Sequence, residues 1–348
     1  MSLFINGRFV TQPLSGVQRF AGETSRALQQ LDARYILLTP PGGAAFWPGA
    51  REAGARQGQA WEQLNLPRAA AGGLLLNLGN TGPIMASKQI VVIHDTGVFR
   101  TPEAYSRKFR LWYKFLQYQL IRRGADIITV SEFSRQEILR CLPVDAARVG
   151  VMPEGADHMH LIEPDQKILT EQGLEPMRFV LCVGSLAAHK NLAALGCLAR
   201  QLHERGMPLV VAGNLSGSAF QTALLPQPAQ YIGRVSDAQL KALYEAASCL
   251  VFPSRYEGFG LPPLEAMTCG CPVVASDIAV LREVCADAAQ FCNPAYPDDI
   301  ARKVIAVIGS ASRREEMREA GFLRSRIFTW QRAAAVLDDF VKTSFETS

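Results

Sequence analysis

Two carboxylates, Glu257 and Glu265, stand with seven residues between them in the run Pro253-Ser254-Arg255-Tyr256-Glu257-Gly258-Phe259-Gly260-Leu261-Pro262-Pro263-Leu264-Glu265-Ala266. One chemistry open to such a pair is glycoside hydrolysis, with an acid and a nucleophile about 5 Å apart. The neighbouring residues favour another. Gly258 and Gly260 let the backbone turn sharply and bring its N–H groups close to a ligand. A helix opening behind such a loop presents unpaired N–H groups and a positive dipole, both of which favour phosphate. Singly, Glu265 reads as a carboxylate complementing the helix dipole and Glu257 as a solvated loop residue. Together, beside an anion site, they make sense as acceptors for hydroxyl protons. A nucleotide sugar supplies both needs, phosphates for the amides and ribose and hexose hydroxyls for the glutamates.

The elements that must position these groups follow from the flanking residues. Cys249-Leu250-Val251-Phe252-Pro253 is a short apolar run of the kind expected for a strand buried on both faces. Pro262 and Pro263 suit the first turn of a helix, and Gly270 with Pro272 marks its end. The helix is therefore expected from about Pro262 to Thr268, with Glu257 on the loop and Glu265 on the first turn. Pro272-Val273-Val274-Ala275-Ser276 reads as the next strand. The loop then lies at the carboxyl end of a parallel strand, the ligand edge of open α/β sheets.

Strand and helix patterns alternate along the whole chain, the mark of a parallel sheet with helices on both faces. Strands are expected at Tyr35 to Leu38, Leu74 to Asn77, Gln89 to His94, Asp126 to Val130, Phe179 to Val183, Pro208 to Ala212, Cys249 to Pro253 and Pro272 to Ala275. A polar segment punctuated by proline and glycine places a linker near 160 to 177, and Gln331 to Phe340 is helical by pattern. The 348 residues suit two domains, since single cores seldom grow past about 250 to 300 residues. With 48% apolar and 20% charged residues the composition is that of a soluble globular protein. No apolar run reaches the roughly 18 residues of a membrane span, and the start lacks a basic region followed by an apolar stretch, so a cytosolic location is expected. The eight cysteines are scattered, the Cys269–Cys271 spacing matches no zinc pattern, and reduced core thiols are expected. No Asp-x-Asp triplet is present to grip a metal-bound diphosphate, which argues for chemistry without a metal.

The phrase from Ser254 to Asp277 closely resembles the E-x(7)-E signature of retaining glycosyltransferase family 4. Other phrases fall in family order over nearly the full chain: Ser15-Gly16-Val17-Gln18-Arg19-Phe20, Val92-Ile93-His94-Asp95, Thr129 to Ser134, Val151 to Asp157, Val183-Gly184-Ser185-Leu186 with Lys190-Asn191-Leu192, and Ile232 to Asp237. The resemblance implies an α/β chain of GT-B fold, two Rossmann-like domains with a cleft between them. Residues 1–165 would form an acceptor-side domain, joined by a returning C-terminal helix over 330–348, and residues 166–329 a nucleotide-sugar domain. It implies that Glu257 holds hydroxyls of the donor sugar and Glu265 the ribose. Lys190 would meet the departing diphosphate, and His94 with Asp95 would face the transferred sugar. Gly16, Gly184, Ser185, Gly258, Phe259 and Gly260 join the donor site, with Gly233, Arg234 and Val235 at the nucleobase, and Asn80 and Gly82 on the acceptor side. Many relatives have an arginine where this chain has Ser185, which removes a second diphosphate cation unless His189 or Arg19 compensates.

Charge is uneven. Residues 1–160 carry 18 Lys or Arg against 12 Asp or Glu. Between 100 and 123 stand Arg100, Arg107, Lys108, Arg110, Lys114, Arg122 and Arg123, interleaved with Tyr105, Phe109, Trp112, Tyr113, Phe115 and Tyr118. A basic aromatic helix of this kind can lie on anionic lipid. Alternatively Phe109, Trp112 and Leu116 form its core stripe while the charges are solvated. Nucleic acid is not the expected partner, because the whole chain carries only +4 and no recognition motif accompanies the patch. The expectation is a retaining, metal-independent hexosyltransferase without a cofactor, on the inner face of the cytoplasmic membrane. Its donor is a nucleotide sugar, GDP-mannose first, and its acceptor a glycan or lipid-linked hydroxyl in surface polysaccharide or O-antigen assembly. The rivals are a soluble UDP-glucose-dependent disaccharide synthase and a catalytically idle nucleotide-sugar-binding partner.

Overall fold

The apolar runs become the strands of two parallel sheets in the computed structural model, which describes residues 2–213 and 225–346. Two compact units contain them: Met1–Gly155 together with Thr329–Ser348, and Ala156–Phe328.

In the first unit β1 (Leu3–Asn6), β2 (Tyr35–Thr39), β3 (Arg51–Glu52), β4 (Leu74–Asn77), β5 (Gln89–Val92), β6 (Asp126–Thr129) and β7 (Val149–Val151) lie in the order β3-β2-β1-β4-β5-β6-β7. Ile5, Leu37, Leu76, Val91 and Ile127 are sealed from solvent in its centre. Helices α1 (Gly16–Leu31), α2 (Arg107–Arg122) and α3 (Glu132–Cys141) flank it. The C-terminal helix, Trp330–Glu346, belongs to this unit. Trp330 packs edge-on against Phe20 of α1 at 5.9 Å, and the buried Tyr35 hydroxyl donates to Asp338 at 2.7 Å.

In the second unit β8 (Val180–Val183), β9 (Leu209–Ala212), β10 (Gln230–Gly233), β11 (Cys249–Phe252), β12 (Val273–Ser276) and β13 (Ala289–Cys292) lie in the order β10-β9-β8-β11-β12-β13. Around them run α4 (Lys167–Glu171), α5 (Gly196–His203), α6 (Asp237–Ala246), α7 (Leu261–Thr268), α8 (Pro297–Ile308) and α9 (Ala311–Ser325). Leu198 and Leu202 of α5 meet Val304 and Val307 of α8 over Val180 and Val251. All eight cysteines are free thiols, and burial pushes those of Cys182, Cys249, Cys285 and Cys292 up to about 12. In both sheets the first strand sits inside, the chain winds outward on one side and then restarts on the other. The topological switch points therefore lie between β1 and β4 and between β8 and β11.

Four expectations need correction. The expected domain boundary at 165–166 falls inside the second unit, which begins at Ala156. The Ala156 amide donates to Phe328 O and the Asp165 amide to Ala238 O, so this stretch is tied into the second unit rather than left as a tether. The linker expected near 160 to 177 contains α4, because Ile168, Leu169 and Leu174 are buried between its prolines and glycines. Glu265 is the fifth residue of α7 and so lies on its second turn, not its first. In α2 the buried stripe is Leu116, Gln117, Leu120 and Ile121, whereas Phe109 and Trp112 remain exposed and form no core.

Candidate active site

The loops that follow β8 and β11 leave the sheet side by side at the switch point of the second unit. Between them Lys190 Nζ donates to Glu257 Oε1 at 2.7 Å, with both side chains mostly but not fully buried. Local backbone chemistry brings the two together. Asn191 takes a left-handed φ of 57°, and its side-chain Nδ2 donates to Pro253 O at 3.0 Å and Pro294 O at 2.8 Å. The Arg255 amide donates to His189 O at 2.8 Å, closing the two loops against each other. The Lys190 ammonium also sits 5.4 Å from the centroid of Phe252, a cation–π distance. Gly184 and Ser185, at the end of β8, are half-buried, and the lysine stem runs past Gly184. A cation and a carboxylate thus share one partly open spot, where a ligand bearing both an anion and hydroxyls would engage each.

Glu265 has a different setting. Its Oε1 accepts from His158 Nε2 at 3.2 Å and its Oε2 from the Tyr244 hydroxyl at 3.2 Å, all three side chains buried. Burial, then the Glu265 charge, pushes the Tyr244 phenol well above its usual range, so it stays protonated as a donor. The two glutamates therefore have separate partners. Sequence reasoning missed His158 and Tyr244; the Val151 to Asp157 phrase stops one residue short of His158. Gly260 caps α7 at φ 107°, where an added Cβ would come within 2.6 Å of Leu281, so the turn requires glycine. Gly258 is half-buried beside Glu257. The ring of Phe259 turns inward, edge-on to Phe328 at 5.7 Å, so this residue has only backbone to offer a ligand.

A row of glycines crosses the carboxyl ends of β8, β9 and β10. The Gly184 amide donates to Ala212 O, and the Gly213 amide to Gly233 O. A Cβ on Gly213 would stand 2.1 Å from Gly184 O. Gly213 is a further position that sequence reasoning passed over. Gly233 has φ 70° with open space around it, Arg234 is exposed and Val235 half-buried.

In the first unit, Asn80 and Asp95 line a cleft of about 280 Å³ at the switch point between β1 and β4. Asp95 Oδ1 accepts from the Gly97 amide at 2.6 Å, while Asn80, at φ 64°, accepts from the His94 amide at 2.7 Å. His94 departs from expectation. Its ring is buried against Phe20, with Nε2 donating to Leu78 O at 3.0 Å and Nδ1 3.6 Å from Glu154, so within this unit it braces the loop that carries Asp95. Gly82 also departs from expectation: it is buried, with the place of a Cβ taken by Asn77 and Gln89. Gly16 opens α1, exposed and with nothing near its missing side chain.

Known proteins agree with this architecture. Residues 165–324 match the family described as glycosyl transferases group 1. The chain is 28% identical over 262 residues to O-antigen chain mannosyltransferase B of Escherichia coli, covering 72% of this chain and 68% of that one. It is 28% identical over 226 residues to the O-antigen chain mannosyltransferase RfbU of Salmonella typhimurium strain LT2, covering 64% and 61%. The chain thus spans less than two thirds of RfbU. Among solved structures, sucrose-phosphate synthase from Thermosynechococcus elongatus superposes with a TM-score of 0.76 at 18% identity, over 100% of both chains. With two Rossmann-like units and these matches, the chain has the GT-B fold, and residues 165–324 within its second unit are similar to the group 1 glycosyltransferases.

Proposed function

We propose that this glycosyltransferase moves a hexose from a nucleotide sugar to a hydroxyl of a glycan with retention of anomeric configuration and without a metal ion. The observation that carries the reading is the Lys190–Glu257 pair at the switch point of the second unit. A donor diphosphate takes the ammonium, and Glu257, released from Lys190, accepts protons from the sugar's hydroxyls. Glu265, held by His158 and Tyr244, accepts from the ribose. As the bond between the anomeric carbon and the phosphate oxygen breaks, the acceptor oxygen attacks on the same face. Its proton passes to the departing phosphate oxygen, whose growing negative charge Lys190 stabilises. A preorganised cation in such a place lowers the barrier by several kcal/mol. No protein nucleophile is required. Mannose from GDP-mannose is the first donor to test, supported by the mannosyltransferase names of relatives at 28% identity.

The same reading takes the acceptor to be lipid-linked and the first unit to dock on an anionic membrane surface. Leu111, Phe115 and Tyr118 recur on one face of α2 and are exposed, Leu111 by 70% and Phe115 by 48%, with Arg107, Lys108 and Arg122 beside them. Apolar side chains among cations suit the boundary of an anionic bilayer. Among the described residues no helix is long and apolar enough to cross a membrane. NMR of the product anomer after metal removal tests the chemistry. A retained configuration and activity in EDTA are expected; an inverted product, or activity that returns only with magnesium or manganese, overturns it.

A further inference from the structure

Asn191 stands where the loops after β8, β11 and β13 meet. Its φ of 57° lies in the left-handed region, which glycine adopts at no cost and asparagine at little. The backbone alone would accept glycine here, so the side chain needs a separate reason. It is buried, 7% exposed, and a side-chain amide nitrogen carries two N–H donors. One goes to Pro253 O at 3.0 Å, on the loop that carries Glu257, and the other to Pro294 O at 2.8 Å, on the loop after β13. Both acceptors belong to prolines, whose locked φ removes one of the rotations that could move the carbonyl. The loop after β13 is braced in turn. Asn293 Oδ1 accepts from the Ala295 amide at 3.0 Å, and the Asn293 amide donates to Asp299 Oδ2 of α8 at 2.9 Å. On the other side of Asn191, the Lys190 amide donates to Ala187 O and the Asn191 amide to Ala188 O, which fixes the backbone from which the lysine springs. A lysine stem is flexible, so its ammonium is preorganised only where its own backbone and its partner's loop are both held.

We propose that Asn191 is a positioning residue for the transfer step: by tying the loops after β8, β11 and β13 through one side-chain nitrogen, it sets Lys190 against Glu257 and toward the departing phosphate. The inference rests on the role proposed for Lys190. It adds that this role is governed by a residue acting through Lys190 and not on the substrate, and by a loop two strands beyond β11. Asn191→Gly separates the two contributions, since it keeps a left-handed backbone and removes both hydrogen bonds.

The test is a double-mutant cycle on the full chain, read as release of GDP from GDP-mannose and of UDP from UDP-glucose, with GDP and UDP affinities titrated beside it. Asn191→Gly is expected to lower turnover by about ten- to a hundredfold, the scale on which a misplacement near 1 Å is felt. Once Lys190→Ala is in place the same substitution should change turnover by less than about twofold, because nothing is left to position. The two nucleotide affinities are expected to follow the same pattern. A merely structural contact would cost the same factor in both backgrounds, and that additive result, or wild-type turnover in Asn191→Gly, would overturn the inference alone. Where Asn191→Gly fails to fold, Asn293→Ala, at an exposed position, loosens the Pro294 carbonyl without touching Asn191. It is expected to lower turnover about fivefold, the scale of one hydrogen bond, and only while Lys190 is present; an unchanged rate overturns the inference. Wild-type turnover in Lys190→Ala, or no release from either donor by the unmodified chain, would instead overturn the transferase reading beneath it.

Discussion

Lys190 and Glu257 hold each other at 2.7 Å, so truncating either leaves the other's charge without its partner. On the proposed chemistry the two losses differ in kind. Lys190→Ala is expected to lower turnover by about two to three orders of magnitude, the cost of one preorganised charge-stabilising donor. Glu257→Ala should leave a folded protein that has lost transfer. Wild-type turnover in either variant, measured by product formation at saturating donor, would refute the assignment. Glu265→Ala is expected to act on binding, weakening nucleotide affinity by roughly 1–3 kcal/mol because a buried hydroxyl loses its acceptor. Tyr244→Phe removes one of the two donors that orient Glu265, at about 1 kcal/mol, read by nucleotide titration. Both glutamates were legible in the sequence because they lie in one short phrase. His158 and Tyr244 were not, since they stand 107 and 21 residues from Glu265 and meet it only through the fold.

At the scale of elements, the glycine row shows why a backbone position can matter as much as a side chain. Gly213 has φ 144°, and a Cβ there would overlap Gly184 O, so Gly213→Ala must displace the end of β8 and the loop that carries Lys190. Backbone strain of this kind costs on the order of 1–3 kcal/mol. A lower melting temperature with impaired nucleotide binding is the expected result, and an unchanged melt would show that the strand ends yield freely. Helix α2 makes the complementary case. Its period is legible, but which face points inward is not, because aromatic residues occupy most of its circumference. The fold turns Leu116, Leu120 and Ile121 to the core and leaves Leu111 and Phe115 outside. Replacing Arg107, Lys108 and Arg110 with glutamine is expected to weaken binding to anionic vesicles. Binding of the unmodified chain should fall as salt rises, since the Debye length is only about 8 Å at physiological ionic strength. Salt-independent binding in a sedimentation assay, or none, removes the membrane role and leaves the enzyme chemistry standing.

At the scale of the whole chain, its last helix folds with its first segment, and buried groups far apart in sequence fix that return. The Tyr35 hydroxyl donates to Asp338, and Gly150 leaves the space that the Phe340 ring fills. Tyr35→Phe leaves a buried carboxylate with one donor fewer and is expected to cost about 1–2 kcal/mol, seen as a melting temperature lower by several degrees. Ending the chain at Thr329 uncovers Phe20 of α1, and the first unit should then lose its cooperative thermal transition in circular dichroism.

Of the thirteen strands of the described residues, the sequence missed β1, β3, β7, β10 and β13. By itself it determined the alternation of strands and helices, the other eight strands to within a residue or two, the glycine-rich turn and the pair of glutamates. These are local properties, set by apolar runs, by proline and glycine, and by spacing within one phrase. It also carried the resemblance to a glycosyltransferase family, because that family's phrases stand in order along it. Only the tertiary structure decided partners. It set Lys190 on Glu257 by placing β8 beside β11, gave Glu265 its histidine and tyrosine, turned the His94 ring inward, and assigned Ala156 to Asp165 to the second unit. Partner choice depends on strand order and on which face is buried. Both come from packing summed over the fold, and no short window of sequence contains that sum.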